Sequence, residues 1–137
     1  MQNDHSQKEV LWNKAREARE KAYAPYSHFL VGAALETDNG KFFVGCNVEN
    51  ASYGATICAE RVAILKAVSE GSLKVKRIAI VADSKGQSVP PCGMCLQVMA
   101  EFCEANTEVI LGTPQKIEKV LKFADLLPAA FSKNFLK

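Results

Sequence analysis

An α/β layered domain with a mixed central sheet is the fold class that this chain of 137 residues predicts. Three observations carry the prediction. Helix-like and strand-like patterns alternate along the chain. A turn signal, Asp38-Asn39-Gly40, separates two strand-like runs. A short apolar run at 77–82 lies between two helical patterns, as expected of a strand covered on both faces.

Taken in order, the first helix is predicted over about 7–24. Leu11, Ala15, Ala18 and Ala22 recur at helical spacing, the other faces are charged, and Pro25 ends the pattern. Strands over 29–37 and 41–48 form an antiparallel hairpin. A loop leads to a helix that opens near Cys58 and runs to about residue 70. The buried strand follows at 77–82, then a loop over 84–91. Pro91 suits the first position of a helix reaching about residue 103, with Leu96, Met99, Ala100 and Cys103 on its apolar face. Residues 108–111 read as a strand. Residues 116–123 fit either a last strand or a helix. The later strands are expected to be joined by right-handed helical crossovers and to run parallel. No repeat or linker interrupts the chain, so one domain over 1–137 is expected.

Composition narrows the function. Seventeen Lys and Arg against fifteen Asp and Glu give a net charge of +2, with no basic stripe for a phosphate backbone. No nucleic-acid partner is therefore expected. The start Met1-Gln2-Asn3-Asp4-His5 is polar, and no run of about 18 apolar residues exists, so neither a signal segment nor a membrane partner is expected. Five cysteines read as reduced thiols and point to the cytoplasm.

Three of those thiols carry the chemistry. Cys58 and Glu60 lie in Thr56-Ile57-Cys58-Ala59-Glu60-Arg61, and Cys92 and Cys95 in Pro90-Pro91-Cys92-Gly93-Met94-Cys95. Three thiolates suit a zinc ion that keeps its fourth position open for water, the mark of a catalytic site. Glu60 is spaced to move protons to and from that water. Taken alone, Cys-x-x-Cys also fits a redox pair or half of a structural four-cysteine site. Cys46 and Cys103 lack close partners and read as small buried hydrophobes. Both Cys58 and Cys92 fall near helix starts, where partial positive charge favours thiolate. Three thiolates on a divalent cation leave a net negative centre, and Arg61 is the cation placed to offset it.

The motif resembles that of the zinc-dependent nucleobase deaminases: a His or Cys, one residue, a Glu, and later Pro-Cys-x-x-Cys. Beyond the metal, Phe29-Leu30-Val31-Gly32-Ala33-Ala34-Leu35 and Gly45-Cys46-Asn47-Val48-Glu49-Asn50-Ala51-Ser52-Tyr53 resemble the small cytidine deaminases that act on free nucleosides. That resemblance runs from about 24 to 131. It implies a three-layer α/β/α sandwich with a mixed sheet of about five strands, and one Zn2+ per subunit held by Cys58, Cys92 and Cys95. It implies hydrolysis of cytidine and 2′-deoxycytidine to uridine and 2′-deoxyuridine with release of ammonia, as in pyrimidine salvage. Glu60 would take a proton from water, pass it to N3 of the ring and protonate the departing amine. Asn47 and Glu49 would hold the ribose 3′-hydroxyl, Phe29 would pack on the base, and the Ala59 amide would bind it. The ending Leu126-Leu127-Pro128-Ala129-Ala130-Phe131 implies a homotetramer in which Phe131 completes a neighbour's pocket.

Two residues depart from the pattern. Leu96 stands where the family usually has arginine, which leaves Arg61 as the adjacent cation. Met94 is found between the last two ligands in tRNA-adenosine and guanine deaminases, yet those use His as the first ligand and lack this Asn-x-Glu. Three other readings compete. They are a deaminase of another cytosine compound such as a nucleoside antibiotic, a nucleic-acid editor, and a zinc module without catalysis.

Overall fold

The computed structural model describes residues 4–136. The first three residues of the polar start lie outside them. Among the described residues, no helix is long and apolar enough to cross a membrane.

Helix α1 spans Asp4–Arg19, five residues short of the predicted end. Its last turn tightens through i→i−3 bonds from Glu20, Lys21 and Ala22. Tyr23 then leaves the helix because another segment takes its backbone. Its N–H donates to the Asn47 carbonyl at 2.9 Å, and its carbonyl accepts from Glu49 N–H at 2.8 Å. A long-range ladder outcompetes the helical periodicity of Ala22, which spacing alone does not reveal.

The predicted hairpin forms. Strand β1 (Val31–Thr37) pairs antiparallel with β2 (Phe42–Cys46), and Gly40 supplies the positive φ of the turn between them. Helix α2 covers Ala59–Ser69, β3 Val75–Ala82, α3 Gly93–Phe102 and β4 Glu108–Gly112. The ambiguous segment is a strand, β5 (Ile117–Lys122). It runs antiparallel to β4, contrary to the expected parallel order. Its connection is too short for a crossover: Thr113 N–H donates to Lys116 O at 2.9 Å and closes a tight turn. Only β3 and β4, joined through α3, run parallel. The sheet order is β2-β1-β3-β4-β5. Pro91 also sits two places before the first helical position it was predicted to fill, because Cys92 is the N-cap and Gly93 opens α3.

Alternation along the strands divides the core into two layers. Ala34 of β1, Ala79 and Val81 of β3 and Ile110 of β4 pack against Leu11, Trp12 and Ala15 of α1. Ala33, Leu35, Ile78, Ile80, Val109 and Leu111 turn the other way, onto α2 and α3. The result is the expected three-layer α/β/α sandwich on a mixed five-stranded sheet. Two glycines set how closely the layers approach. A Cβ at Gly32 would lie 2.0 Å from the Ala15 carbonyl of α1, and one at Gly45 would lie 2.6 Å from the Ala63 nitrogen of α2. The second contact holds α2, and with it the Cys58 end of that helix, against β2. Cys46 and Cys103 are half-buried rather than buried. Cys103 packs against the α2/α3 core, while the Cys46 thiol bonds the Lys21 carbonyl at the sheet edge.

Candidate metal centre

Cys58 and Cys92 are each an N-cap, of α2 and α3 respectively, and both have extended backbone. Neither thiol caps its own helix, so both sulfurs are free to turn toward a ligand. Cys95 follows in the first turn of α3. The two helix starts converge at the carboxyl end of β3, the usual place for a site in an α/β sheet. Cys58 Sγ lies 3.9 Å from Cys92 Sγ, and Cys92 Sγ lies 3.4 Å from Cys95 Sγ. All three sulfurs fall within 4.8 Å of one another. Thiolates about 2.3 Å from a tetrahedral zinc are separated by about 3.8 Å, so this donor set fits zinc. Cys95 is buried, Cys58 half-buried and Cys92 exposed, which leaves one side of the cluster open.

Electrostatics favour ionisation of one thiol of the three, Cys58. Hydrogen bonds from Cys95 and from Arg61 lower the Cys58 thiol to about 5. The same sharing, with burial, pushes Cys95 upward. The Arg61 guanidinium donates to Cys58 Sγ at 3.6 Å. Its Nε is buried and lacks a hydrogen-bond partner. The predicted neighbouring cation is therefore in contact with a sulfur.

Glu60, in the first turn of α2, is only 4 % exposed. Burial pushes its carboxyl up to about 7 from an ordinary 4.5, and the nearby Cys58 charge adds to the rise. Such a group exchanges protons readily near neutral pH. Ala59 is buried at the first position of the helix, where an N–H has no intrahelical acceptor. Leu96 is buried in the core shared with Met99 and Ala63. An arginine at this backbone position would have to leave that core to reach the thiolates.

The predicted sugar-holding pair lies beyond the end of β2, not within a strand. Val48 makes a narrow antiparallel bridge to Ile57, with bonds of 2.9 and 3.0 Å, and so fixes Asn47–Glu49 beside the residue preceding Cys58. Asn47 and Glu49 are both buried while Val48 between them is exposed, so the two side chains share a face. Both also hold the chain before β1. Asn47 Nδ2 donates to Phe29 O at 2.8 Å, and its Oδ1 accepts from Val31 N–H at 2.9 Å. Phe29 itself is half-buried. Glu49 Oε1 accepts from the N–H groups of Tyr26 and Ser27 at 3.0 and 3.1 Å. Ser27 Oγ donates to Glu49 Oε2 and is the main reason that this carboxyl is held below its usual range. Nothing in the sequence distinguishes Ser27 from a surface turn serine; the fold brings it to Glu49.

Phe131 stands apart. Its ring is 58 % exposed and stacks on Phe135 at 5.8 Å, while its carbonyl accepts from Gln97 of α3 at 2.9 Å. A concavity of about 570 Å³, lined in part by Lys74, Glu104 and Lys122, lies at the opposite end of the sheet and has none of this chemistry.

Comparison with known proteins agrees with this geometry. Residues 5–113 match the family described as "Cytidine and deoxycytidylate deaminase zinc-binding region". A cytidine deaminase of Halalkalibacterium halodurans is 53% identical over 91% of this chain and 94% of its own length. One from Sporosarcina psychrophila is 48% identical over 93% of each. The crystal structure of cytidine deaminase from Burkholderia pseudomallei superposes with a TM-score of 0.85 at 47% identity, covering 95% of this chain and 100% of that one. Fold, donor set and sequence agree that this chain belongs to the cytidine and deoxycytidylate deaminase family.

Proposed function

We propose that this chain is a cytidine deaminase, which hydrolyses cytidine and 2′-deoxycytidine to uridine and 2′-deoxyuridine and releases ammonia. The observation that carries the reading is a buried, proton-exchanging carboxyl, Glu60, beside an open cluster of three thiols. Relatives named cytidine deaminase match over nearly the whole chain and support it.

In this reading Cys58, Cys92 and Cys95 hold the zinc. When bound, zinc supplies a Lewis acid that makes water a nucleophile at neutral pH. Glu60 would accept one proton from the attacking water and deliver it to N3 of the ring, then take the second proton from the hydroxyl formed at C4 and deliver it to the departing amine. Arg61 offsets the negative charge of the thiolates. The free N–H of Ala59 donates to the base, and the Phe29 ring packs on it. Asn47 and Glu49 hold the 3′-hydroxyl, which can both donate to a carboxylate and accept from an amide.

A held 3′-hydroxyl excludes a 3′-phosphodiester, and the Glu49 carboxylate repels phosphate. Free nucleosides are therefore the expected substrates, and single-stranded DNA and RNA are not. Incubating zinc-loaded protein with cytidine and with an oligonucleotide carrying one internal cytosine tests this. Sequencing of the product should show the internal cytosine unchanged. Efficient conversion there would favour the editing reading instead.

The assembly we propose is a homotetramer in which Phe131 closes a neighbour's pocket. The exposure of Phe131, Phe135 and Leu136 supports a surface that another copy covers. Sedimentation should give a mass near four times 15.0 kDa, and Phe131→Ala should raise KM. A strictly monomeric, fully active enzyme would remove the proposal. The chain is proposed to work as one domain in the cytoplasm, where a reducing milieu preserves the three thiols.

A further inference from the structure

Ser27 carries no reacting atom, yet its hydroxyl lies between the two parts of the nucleoside site. Phe29 N–H donates to Ser27 Oγ at 3.0 Å. That bond occupies a lone pair of the hydroxyl, whose own proton is donated to Glu49 Oε2. His28, between them, adopts a left-handed φ of 58°, which folds Phe29 back over Ser27. The Phe29 carbonyl is tied in turn to Asn47. Glu49 has several rotatable bonds, and its Oε1 is fixed by two backbone N–H groups. Oε2 is fixed by Ser27. Without that hydroxyl the carboxylate is free to twist about its last bond, and Phe29 N–H loses its acceptor.

We propose that Ser27 is a positioning residue for nucleoside recognition: its hydroxyl, oriented by Phe29 N–H, sets the plane of the Glu49 carboxylate that receives the 3′-hydroxyl. The inference rests on the sugar-holding role of Glu49 given above. A group that acts only in binding the sugar contributes equally to ground and transition states, so its loss raises KM and spares kcat.

The test is steady-state kinetics of the zinc-loaded enzyme on cytidine and on 2′,3′-dideoxycytidine, which lacks the 3′-hydroxyl. The variants are Ser27→Ala, Ser27→Thr and Glu49→Gln. Losing a hydrogen bond to a charged group predicts a rise of about tenfold in KM for cytidine in Ser27→Ala. Its kcat should stay near wild type, and its KM for the dideoxy substrate should rise far less than that for cytidine, by no more than the loosened Phe29 costs both substrates. Ser27→Thr keeps the hydroxyl and should restore the wild-type KM. Ser27→Cys, a poorer donor of similar shape, carries the same comparison if Ser27→Ala does not fold. Equal losses on both substrates, or a wild-type KM for cytidine in Ser27→Ala while Glu49→Gln raises it, would overturn the positioning role. A wild-type KM in Glu49→Gln would instead overturn the reading of Glu49 itself.

Discussion

Glu60→Gln is expected to lower turnover by roughly 10²- to 10⁴-fold, the usual contribution of general acid–base catalysis, while zinc content and fold remain. The amide keeps the shape of the carboxyl and an acceptor oxygen, but it cannot take a proton from water or return one to the ring and the amine. The substitution should not cost stability. In the metal-free protein the Glu60 carboxyl sits at about 7 against an ordinary 4.5 because it is buried. A carboxyl raised in the folded state favours folding below its unfolded pKa and loses that advantage as pH rises to about 7. Ionised Glu60 is therefore a burden above neutral pH, and glutamine removes it. Melting of the metal-free variant at pH 8 should come at or above the wild-type temperature. Retention of more than about a tenth of wild-type turnover would rule out the proton-transfer role.

The cysteine variants should behave in the opposite way and lose metal and stability together. Metal binding is linked to folding, and three thiolates from two helix starts tie separate parts of the chain to one ion. Cys58→Ala, Cys92→Ala and Cys95→Ala are each expected to bind far less than one zinc per chain. Each should melt roughly 5–10 °C lower than the zinc-loaded wild type, as expected for a loss of about 2 kcal/mol in a chain of this size. The exposed Cys92 separates the metal from packing. Its replacement should have no effect on melting once chelator has stripped both proteins. Cys95→Ala also empties buried space, so it should remain weaker even then. A full zinc complement in all three variants would refute the ligand assignment.

The site was more legible in the sequence than the path of the chain around it. Cys58, Cys92 and Cys95 read as a candidate ligand set by residue type and spacing, and the helix starts that present them were predictable from the pattern around them. The end of α1 was not, because the Tyr23 backbone is claimed by Asn47 and Glu49, more than twenty residues away in sequence. The direction of β5 depended on whether Thr113–Lys116 made a turn or led into a crossover, and its apolar spacing suited either. Leu96 was legible both as a missing arginine and as part of the apolar face of α3, and the fold places it in the core. Asn47 and Glu49 were legible as a polar pair that the family resemblance assigns to a sugar hydroxyl. Their second task, bracing the backbone of 26–31, appears only when the two segments are brought together. Ser27 belongs wholly to that long-range geometry.

Deamination of cytidine by means of zinc held on three cysteines is tested most directly by removing and restoring the metal. Cytidine absorbance should be followed with protein as isolated, with protein treated with chelator, and with treated protein given back one equivalent of zinc. Conversion to uridine is expected in the first sample, none in the second, and recovery in the third. Undiminished turnover in the chelated sample, or no turnover with one zinc bound per chain, would contradict it.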